Sequence, residues 1–446
     1  MRSFDHRAMM SRQSSGDGND DRLCRLLKQI AGKCHVPGAQ LTLHRSGETT
    51  TVVTGERVAG APVRPGTPFP LGSVSKCFTA TVAMQLVADG DLALDAPLSE
   101  YLPELAASRA RAPREVTLRQ VLSHTGGLVS DHEPEDEGAG VPHRYALAVR
   151  DLGDVGVPGD SFSYSNTGYV LVGHLVERIA GLDWWDAVDS FVNGPLGLAV
   201  ARLGDPVVAR RMAVPHVVTG GVAREVEPLL PAGWAPAGGL VGTSADLVAF
   251  ALAHLDGDLV PDDLAALMRR PVEAEPFGIA DGWGLGWGVY EGPGGRWAGH
   301  DGTLAGTTCS LRFHPETRTA LALVTNASTG LDLWAEIVAE LEVGTYEPAA
   351  VEPAPGADLD EFAGDYRNDT TCFSVRARGT GGLQLEDGTG FAAVLMPGRE
   401  DVFGVRPDGD LGAAPHIGRF LRDSEGRVSA IQFSGRIARR NERAAR

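Results

Sequence analysis

The chain lacks closely paired cysteines. Its five, Cys24, Cys34, Cys77, Cys309 and Cys372, are odd in number and contain no Cys-x-x-Cys. That excludes a disulfide framework and a thiolate metal site, and it points to a reducing compartment. Basic residues are also scarce: 40 Lys and Arg stand against 58 Asp and Glu, a formal net charge of -18. So acidic a chain is a poor match for nucleic acid or an anionic membrane surface, and neither partner is expected. No apolar run reaches the roughly 18 residues of a membrane-spanning helix. The stretch from Met1 to Asp21 is polar and has no apolar core of a secretory signal, so a cytoplasmic location is expected. The 12 histidines are scattered without metal-ligand spacing, and no metal or cofactor is expected.

What is present is a loop-rich globular composition, 43% hydrophobic with 57 Gly and 28 Pro, in a chain long enough for two or three domains. Residues 1–20 read as a disordered lead. Leu23, Leu26, Leu27 and Ile30 form the stripe of a short helix from Asp21 to Ile30. Gln40 to His44 alternates and pairs with Thr51-Val52-Val53 across Ser46-Gly47 as a hairpin. Phe78, Val82, Leu86 and Val87 recur at helical spacing over residues 78–89, predicting a helix with one buried face. Thr117 with Gln120 spells a capping box, and Thr243 opens a later helix through Phe250 and Leu255. Residues 182–270 read as mainly helical. Strands return at Gly284–Val289, Thr307–Phe313 and Thr319–Thr325, followed by a helix from Leu333 to Leu341. This order predicts an α+β unit over residues 21–346: an antiparallel sheet flanked by helices, with a large helical insertion.

Pro348, Pro353 and Pro355 mark residues 347–358 as a linker. Beyond it, residues 359–446 change to short alternating pieces separated by Gly-rich turns, a small all-β domain of barrel type. That domain is expected to shape access to a cleft, with the basic tail from Arg436 as a solvated end.

Three stretches carry chemistry. Ser73-Val74-Ser75-Lys76 lies at the mouth of the apolar helix, where Lys76, one turn on, can reach the Ser73 hydroxyl. In dry or positively charged surroundings that lysine is neutral near pH 7 and can take the serine proton. Cys77 beside it reads as a packed thiol. Phe162-Ser163-Tyr164-Ser165-Asn166-Thr167-Gly168 offers a phenol, a hydroxyl and an amide in a turn just before the helix Tyr169–Ile179. Gly299-His300-Asp301-Gly302-Thr303 places a glycine-flanked histidine at the start of a strand, where a substrate backbone can approach closely. His124, before Gly126-Gly127, reads as a buried hydrogen-bonding histidine. The acidic loop Asp131 to Gly140 reads as a solvated lid.

In this order the motifs resemble those of the serine β-lactamase-like, penicillin-binding-protein-like superfamily, in its class C esterase and D-peptidase branch. The signatures Ser-x-x-Lys, Tyr-x-Asn and Lys/His-x-Gly are matched by Ser73–Lys76, Tyr164-Ser165-Asn166 and His300-Asp301-Gly302. The resemblance spans about residues 25–345. It implies that Ser73 is the nucleophile, that Lys76 and Tyr164 share proton transfer, and that Asn166 orients the acyl chain. It also implies an oxyanion hole from the backbone N–H groups of Ser73 and Thr303. Ser165, Asp301 and Gly302 would line the substrate site, and His300 would replace the more cationic lysine of many β-lactamases. Within the superfamily the chain is most like the penicillin-binding-protein-type thioesterases, which carry a similar lipocalin-like C-terminal domain. Those enzymes act in trans on nonribosomal peptide assembly lines. The resemblance implies a peptidyl thioester substrate presented by a peptidyl carrier protein and released by head-to-tail macrocyclisation. A cytoplasmic D-stereospecific peptidase or esterase is the alternative.

Overall fold

The computed structural model describes residues 17–133, 142–354, 356, 358–379, 381–388, 390–407 and 416–441. The segment read as a disordered lead and most of the acidic loop 131–140 lie outside these residues.

The first helix, α1 (Asp17–Lys33), is longer than its apolar stripe suggests. It lies against an eight-stranded antiparallel sheet. The predicted hairpin forms as β1 (Gly38–Arg45) and β2 (Glu48–Val58), with Leu41 opposite Val52. β1 then pairs with a strand far along the chain, so the sheet joins residues nearly three hundred positions apart. The central helix α2 (Ser75–Ala88) follows, and then α3 (Asn166–Ala180) and α4 (Ser244–Asp256). The sheet resumes as β3 (Gly288–Gly292), β4 (Gly295–Leu304), β5 (Thr307–His314) and β6 (Thr319–Thr325), before the closing helix α5 (Gly330–Leu341). The strand order is Ala61–Pro62, β2, β1, β6, β5, β4, β3 and Gly282–Trp283.

Both faces of this sheet are covered. On one, Ala39, Leu41, Leu321 and Leu323 meet Leu23, Leu27 and Ile30 of α1 and Leu333 and Ile337 of α5. On the other, Leu311, Phe313, Ala320 and Ala322 meet α2 and α4, where Phe78 stacks on Phe250 with ring centroids 4.0 Å apart. Burial on both sides explains why the central strands read as nearly continuous apolar runs. Helix α2 is likewise buried all round from Ser75 to Met84, a correction to the single buried face that its spacing predicts. A helix enclosed on every side needs no polar face, so its periodicity loses meaning.

The expected capping box forms at Thr117 with Gln120, and the cap at Thr243 is also a box, closed by Asp246. The corrections that remain are local. The region 182–270 also holds short strands, among them the ribbon His216–Thr219 and Val222–Glu225. The Gly299–Thr303 motif sits inside β4 rather than ahead of a strand.

The C-terminal unit is a closed barrel of eight antiparallel strands. They are β7 (Gly364–Asn368), β8 (Thr371–Arg378), β9 (Gly382–Glu386), β10 (Ala392–Pro397), β11 (Val402–Pro407), β12 (His416–Arg422), β13 (Val428–Phe433) and β14 (Arg436–Arg440). Tyr366, Val375, Leu383, Leu395, Phe403 and Ile431 fill its interior. Closure requires β14 to pair with β7, so the residues expected as a solvated tail form the strand that seals the barrel. Pairing both edges leaves no open strand for aggregation. Among the described residues no helix is long and apolar enough to cross a membrane.

Candidate active site

Ser73 lies in a 3-10 turn, Gly72–Val74, that leads into α2 at Ser75. The turn is built for contact with β4. Gly72 has φ +51, and a Cβ there would come within 2.9 Å of the Thr303 backbone nitrogen. A Cβ on Gly302 would lie 2.1 Å from the Leu71 carbonyl oxygen and 3.0 Å from the Ser73 nitrogen. Only glycine at both positions allows two backbones to close to this distance. The contact brings Thr303 against the turn carrying Ser73, as two amides sharing one oxyanion require.

The Lys76 ammonium nitrogen is fully buried, 3.0 Å from Ser73 Oγ and 2.7 Å from the Ala237 carbonyl, to which it donates. Its Nζ lies 5.0 Å from the centre of the Tyr164 ring and 5.7 Å from that of Tyr169. Burial lowers the Lys76 pKa to about 7, and the nearby Arg436 guanidinium acts in the same direction. A neutral amine donates to Ala237 and keeps its lone pair for the Ser73 hydroxyl proton. Tyr164, whose side chain also hydrogen-bonds Ser73, has its phenol pushed well above the usual range by burial. At neutral pH the pair therefore divides into a lysine that can accept a proton and a tyrosine that holds one.

Tyr164 is positioned by contacts from both domains. On one side His124 lies 4.2 Å from its ring and accepts the Ser165 backbone N–H at Nδ1. Burial depresses the His124 pKa well below normal, with Lys76 adding to the effect. This is the buried hydrogen-bonding histidine expected from the sequence. On the other side is the turn between β13 and β14. The Tyr164 N–H donates to the Gly435 carbonyl at 2.8 Å, and the Ile437 N–H donates to Ser163 Oγ at 3.1 Å. Gln432 Nε2 donates to the Phe162 carbonyl at 2.9 Å. Arg436 extends from the same turn, its guanidinium 5.0 Å from the Tyr164 ring centre and its Nε 3.3 Å from Asp131 Oδ2. A barrel expected only to shape access thus holds the backbone of the second motif and brings a cation over Tyr164. No local pattern around Arg436 announces this, since it depends on barrel closure.

Asn166, the first residue of α3, donates from Nδ2 to Asp131 Oδ1 at 2.5 Å, so Asp131 stands between Asn166 and Arg436. Ser165 and Asp301 depart from their expected substrate contacts. Ser165 is the N-cap of α3, accepting from the Gly168 N–H and donating to the Val129 carbonyl, so its hydroxyl is fully engaged. The Asp301 carboxylate is gripped by both terminal nitrogens of Arg312, at 2.9 and 2.7 Å. Arg312 in turn stacks on Tyr290, 3.5 Å from the ring centre. Strand alternation places Asp301 on the face of β4 opposite His300 and Gly302, where it braces the strand. His300 lies beside Trp283 and Tyr164, its Nδ1 2.6 Å from the Asp301 carbonyl oxygen. Cys77 is buried and its thiol contacts the Gly286 carbonyl, as a packed thiol should.

The structure therefore gathers Ser73, Lys76, Tyr164, Asn166, His300, Gly302 and Thr303 around one turn. The geometry suits attack by a serine hydroxyl on an acyl carbonyl, with a lysine to take the proton and backbone amides to hold the developing oxyanion. Comparison with known proteins agrees. Residues 23–340 match the Beta-lactamase family. "Penicillin-binding protein 4" of Amycolatopsis lactamdurans is 35% identical over 361 residues, covering 75% of this chain and 94% of that one. The crystal structure of SurE superposes with a TM-score of 0.84 at 37% identity, covering 96% of this chain and 100% of that one. SurE with D-Leu gives a TM-score of 0.81 at 37% identity, covering 95% and 100%. A D-stereospecific amidohydrolase from Streptomyces sp. is 28% identical with a TM-score of 0.59, covering 71% and 98%. With this match over most of its length, and a Ser-x-x-Lys serine held as the fold requires, the chain belongs to the beta-lactamase family of serine acyl-transfer enzymes.

Proposed function

We propose that the protein is a thioesterase that takes a peptidyl chain from a carrier-protein thioester onto Ser73 and releases it as a macrocycle. Ser73 Oγ attacks the thioester carbonyl while its proton passes to neutral Lys76. The C–S bond breaks, and the proton goes on to the departing thiolate through the Lys76–Tyr164 pair. The peptide's own amine then attacks the Ser73 ester. The C–N bond forms, the C–Oγ bond breaks, and the amine proton returns to Ser73. The observation that carries this reading is the enclosure of the site. Lys76, Tyr164 and His300 are all buried, and the barrel turn closes on the Tyr164 backbone, which favours a tethered amine over bulk water. The crystal structure of a 37% identical neighbour with D-Leu supports recognition of a D-residue.

Peptidyl thioesters ending in a D-residue should give cyclic product in excess over linear acid, with L-ending diastereomers reacting poorly. Intact mass of protein and product reads both. Linear acid alone, with brisk cleavage of D-amino-acid amides, would assign the protein to the D-peptidase class instead. The 28% identity to a D-stereospecific amidohydrolase makes that the second reading.

A pH dependence follows from the Lys76 environment. Its neutral form is the reactive one, so acylation by a small activated ester should rise with pH through about 7 and level off above it. Arg436→Ala removes a cation that opposes protonation, which should move the inflection to higher pH, whereas Arg436→Lys should hold it. An inflection unmoved by Arg436→Ala would separate the barrel's charge from the lysine.

A further inference from the structure

We infer that His300 offers the cleft a bare acceptor nitrogen, Nε2, which receives an N–H of the amine that resolves the acyl-enzyme. The inference rests on the Ser73 acyl-enzyme reading above and assigns the class of its acceptor substrate. It begins with the 2.6 Å contact between Nδ1 and the Asp301 carbonyl oxygen. A carbonyl can only accept, so Nδ1 carries the hydrogen. In neutral imidazole Nε2 then has a lone pair and no proton. The charges of Lys76 and Arg312 oppose a positive charge on the ring, while Asp301 favours one. Burial is the larger cause holding the His300 pKa down, at about 3.

The side on which the ring lies follows from the strand. His300 and Gly302 share one face of β4, the face that Gly302 presses onto the Leu71–Ser73 turn. Among the described residues Nε2 meets no hydrogen-bond partner, and His300 is only 2% exposed. Leaving a buried polar atom unpaired is costly, so a donor that meets it is favoured. A lysine at this position would be a donor and a cation, suited to a carboxylate. This histidine is neither, and a carboxylate there would face a lone pair.

The donor that fits is the N–H of a neutral amine approaching the Ser73 ester. One N–H bonds to His300 Nε2, which turns the amine lone pair toward the acyl carbon. As the C–N bond forms and the C–Oγ bond breaks, a second amine proton passes through Tyr164 and Lys76 to Ser73 Oγ. His300 takes no proton; its part is to orient the amine for attack on the Ser73 ester.

The experiment uses the full chain, a p-nitrophenyl ester of an N-acetylated D-amino acid, and D-leucinamide as the added amine. Release of p-nitrophenol reports acylation, and the ratio of amide to acid reports partition between amine and water. Wild type should form the amide. His300→Gln, which retains an acceptor oxygen, should keep most of the ratio. His300→Ala and His300→Lys should lower it at least about tenfold, the ratio being independent of how fast p-nitrophenol is released. An unchanged ratio in these two variants, or a loss confined to acylation, would overturn the inference. A second measurement needs no variant. The imidazole ¹⁵N spectrum of the wild-type protein should show a protonated Nδ1 and an unprotonated Nε2 for His300, and a protonated Nε2 would overturn it equally. Failure of the cyclase reading alone would appear as linear acid from peptidyl thioesters with the His300-dependent aminolysis intact. Failure of the acyl-enzyme reading would appear as absence of a Ser73 adduct by mass.

Discussion

Ser73→Ala should abolish turnover, by on the order of 10⁴–10⁶-fold, while leaving the fold intact. The hydroxyl is small and half-buried, and its partners are the Lys76 amine and the Tyr164 phenol. Removing it opens no cavity large enough to disturb the Gly72–Val74 turn, which is held by backbone contact with Thr303. Wild type mixed with an activated ester should gain the mass of the acyl group, and the variant should not. Thermal melting should place the two proteins within a few degrees of each other. An adduct on Cys77, or undiminished activity in the variant, would overturn the serine mechanism. The cysteine is a poor rival, because burial drives its thiol pKa well above the ordinary value and keeps the thiolate scarce.

The second large effect is expected at the barrel. A chain ending near Ala350 should lose acylation of even a small ester by about 10²-fold or more, although the sequence alone suggests that it would only lose selectivity. The reason is where the hydrogen bonds of the second motif go. Tyr164 N–H, Ser163 Oγ and the Phe162 carbonyl all end on the β13–β14 hairpin. A further tie joins Ser130 to Asn368, with the Ser130 N–H donating to Asn368 Oδ1 at 2.8 Å and Asn368 Nδ2 donating back to the Ser130 hydroxyl at 2.8 Å. These groups are buried, so losing the barrel leaves them to water and frees residues 162–164 to shift. A displacement of about 1 Å at a reacting group can cost about 10²-fold. The rate of ester adduct formation by mass, with circular dichroism as the check on folding, decides the matter. A folded truncated chain that acylates at the wild-type rate would return the barrel to an access role.

Much of the fold was legible because short-range physics determines it. The β1–β2 hairpin follows from alternation and a turn, and the capping boxes at Thr117 and Thr243 follow from a hydroxyl placed three residues before a partner side chain. The alternating pieces beyond the linker form the strands of the closed barrel. The reading weakened where burial is complete. Helix α2 carries no polar face to reveal its period, and the His300 motif, which reads as the start of a strand, lies inside one buried along much of its length.

The candidate site divides in the same way. Ser73 and Lys76 are neighbours through a single helical turn, so the sequence by itself determined that a serine and an amine would meet. It also placed Tyr164 before a helix and His300 between glycines. Sequence could not decide the electrostatic state of any of them, because the lysine pKa depends on what encloses it. The enclosure comes from Tyr164, Tyr169 and Ala237, and from Arg436, which lies 360 positions along the chain from Lys76. Nor could sequence tell that Asp301 would turn to Arg312 while His300 turns to the cleft, since both strand faces are buried and either could have held the site. The residue types and their order fix which chemistry is available. Only the tertiary structure decides which atoms are dry, which are charged and which are already taken, because those properties depend on neighbours distant in the chain.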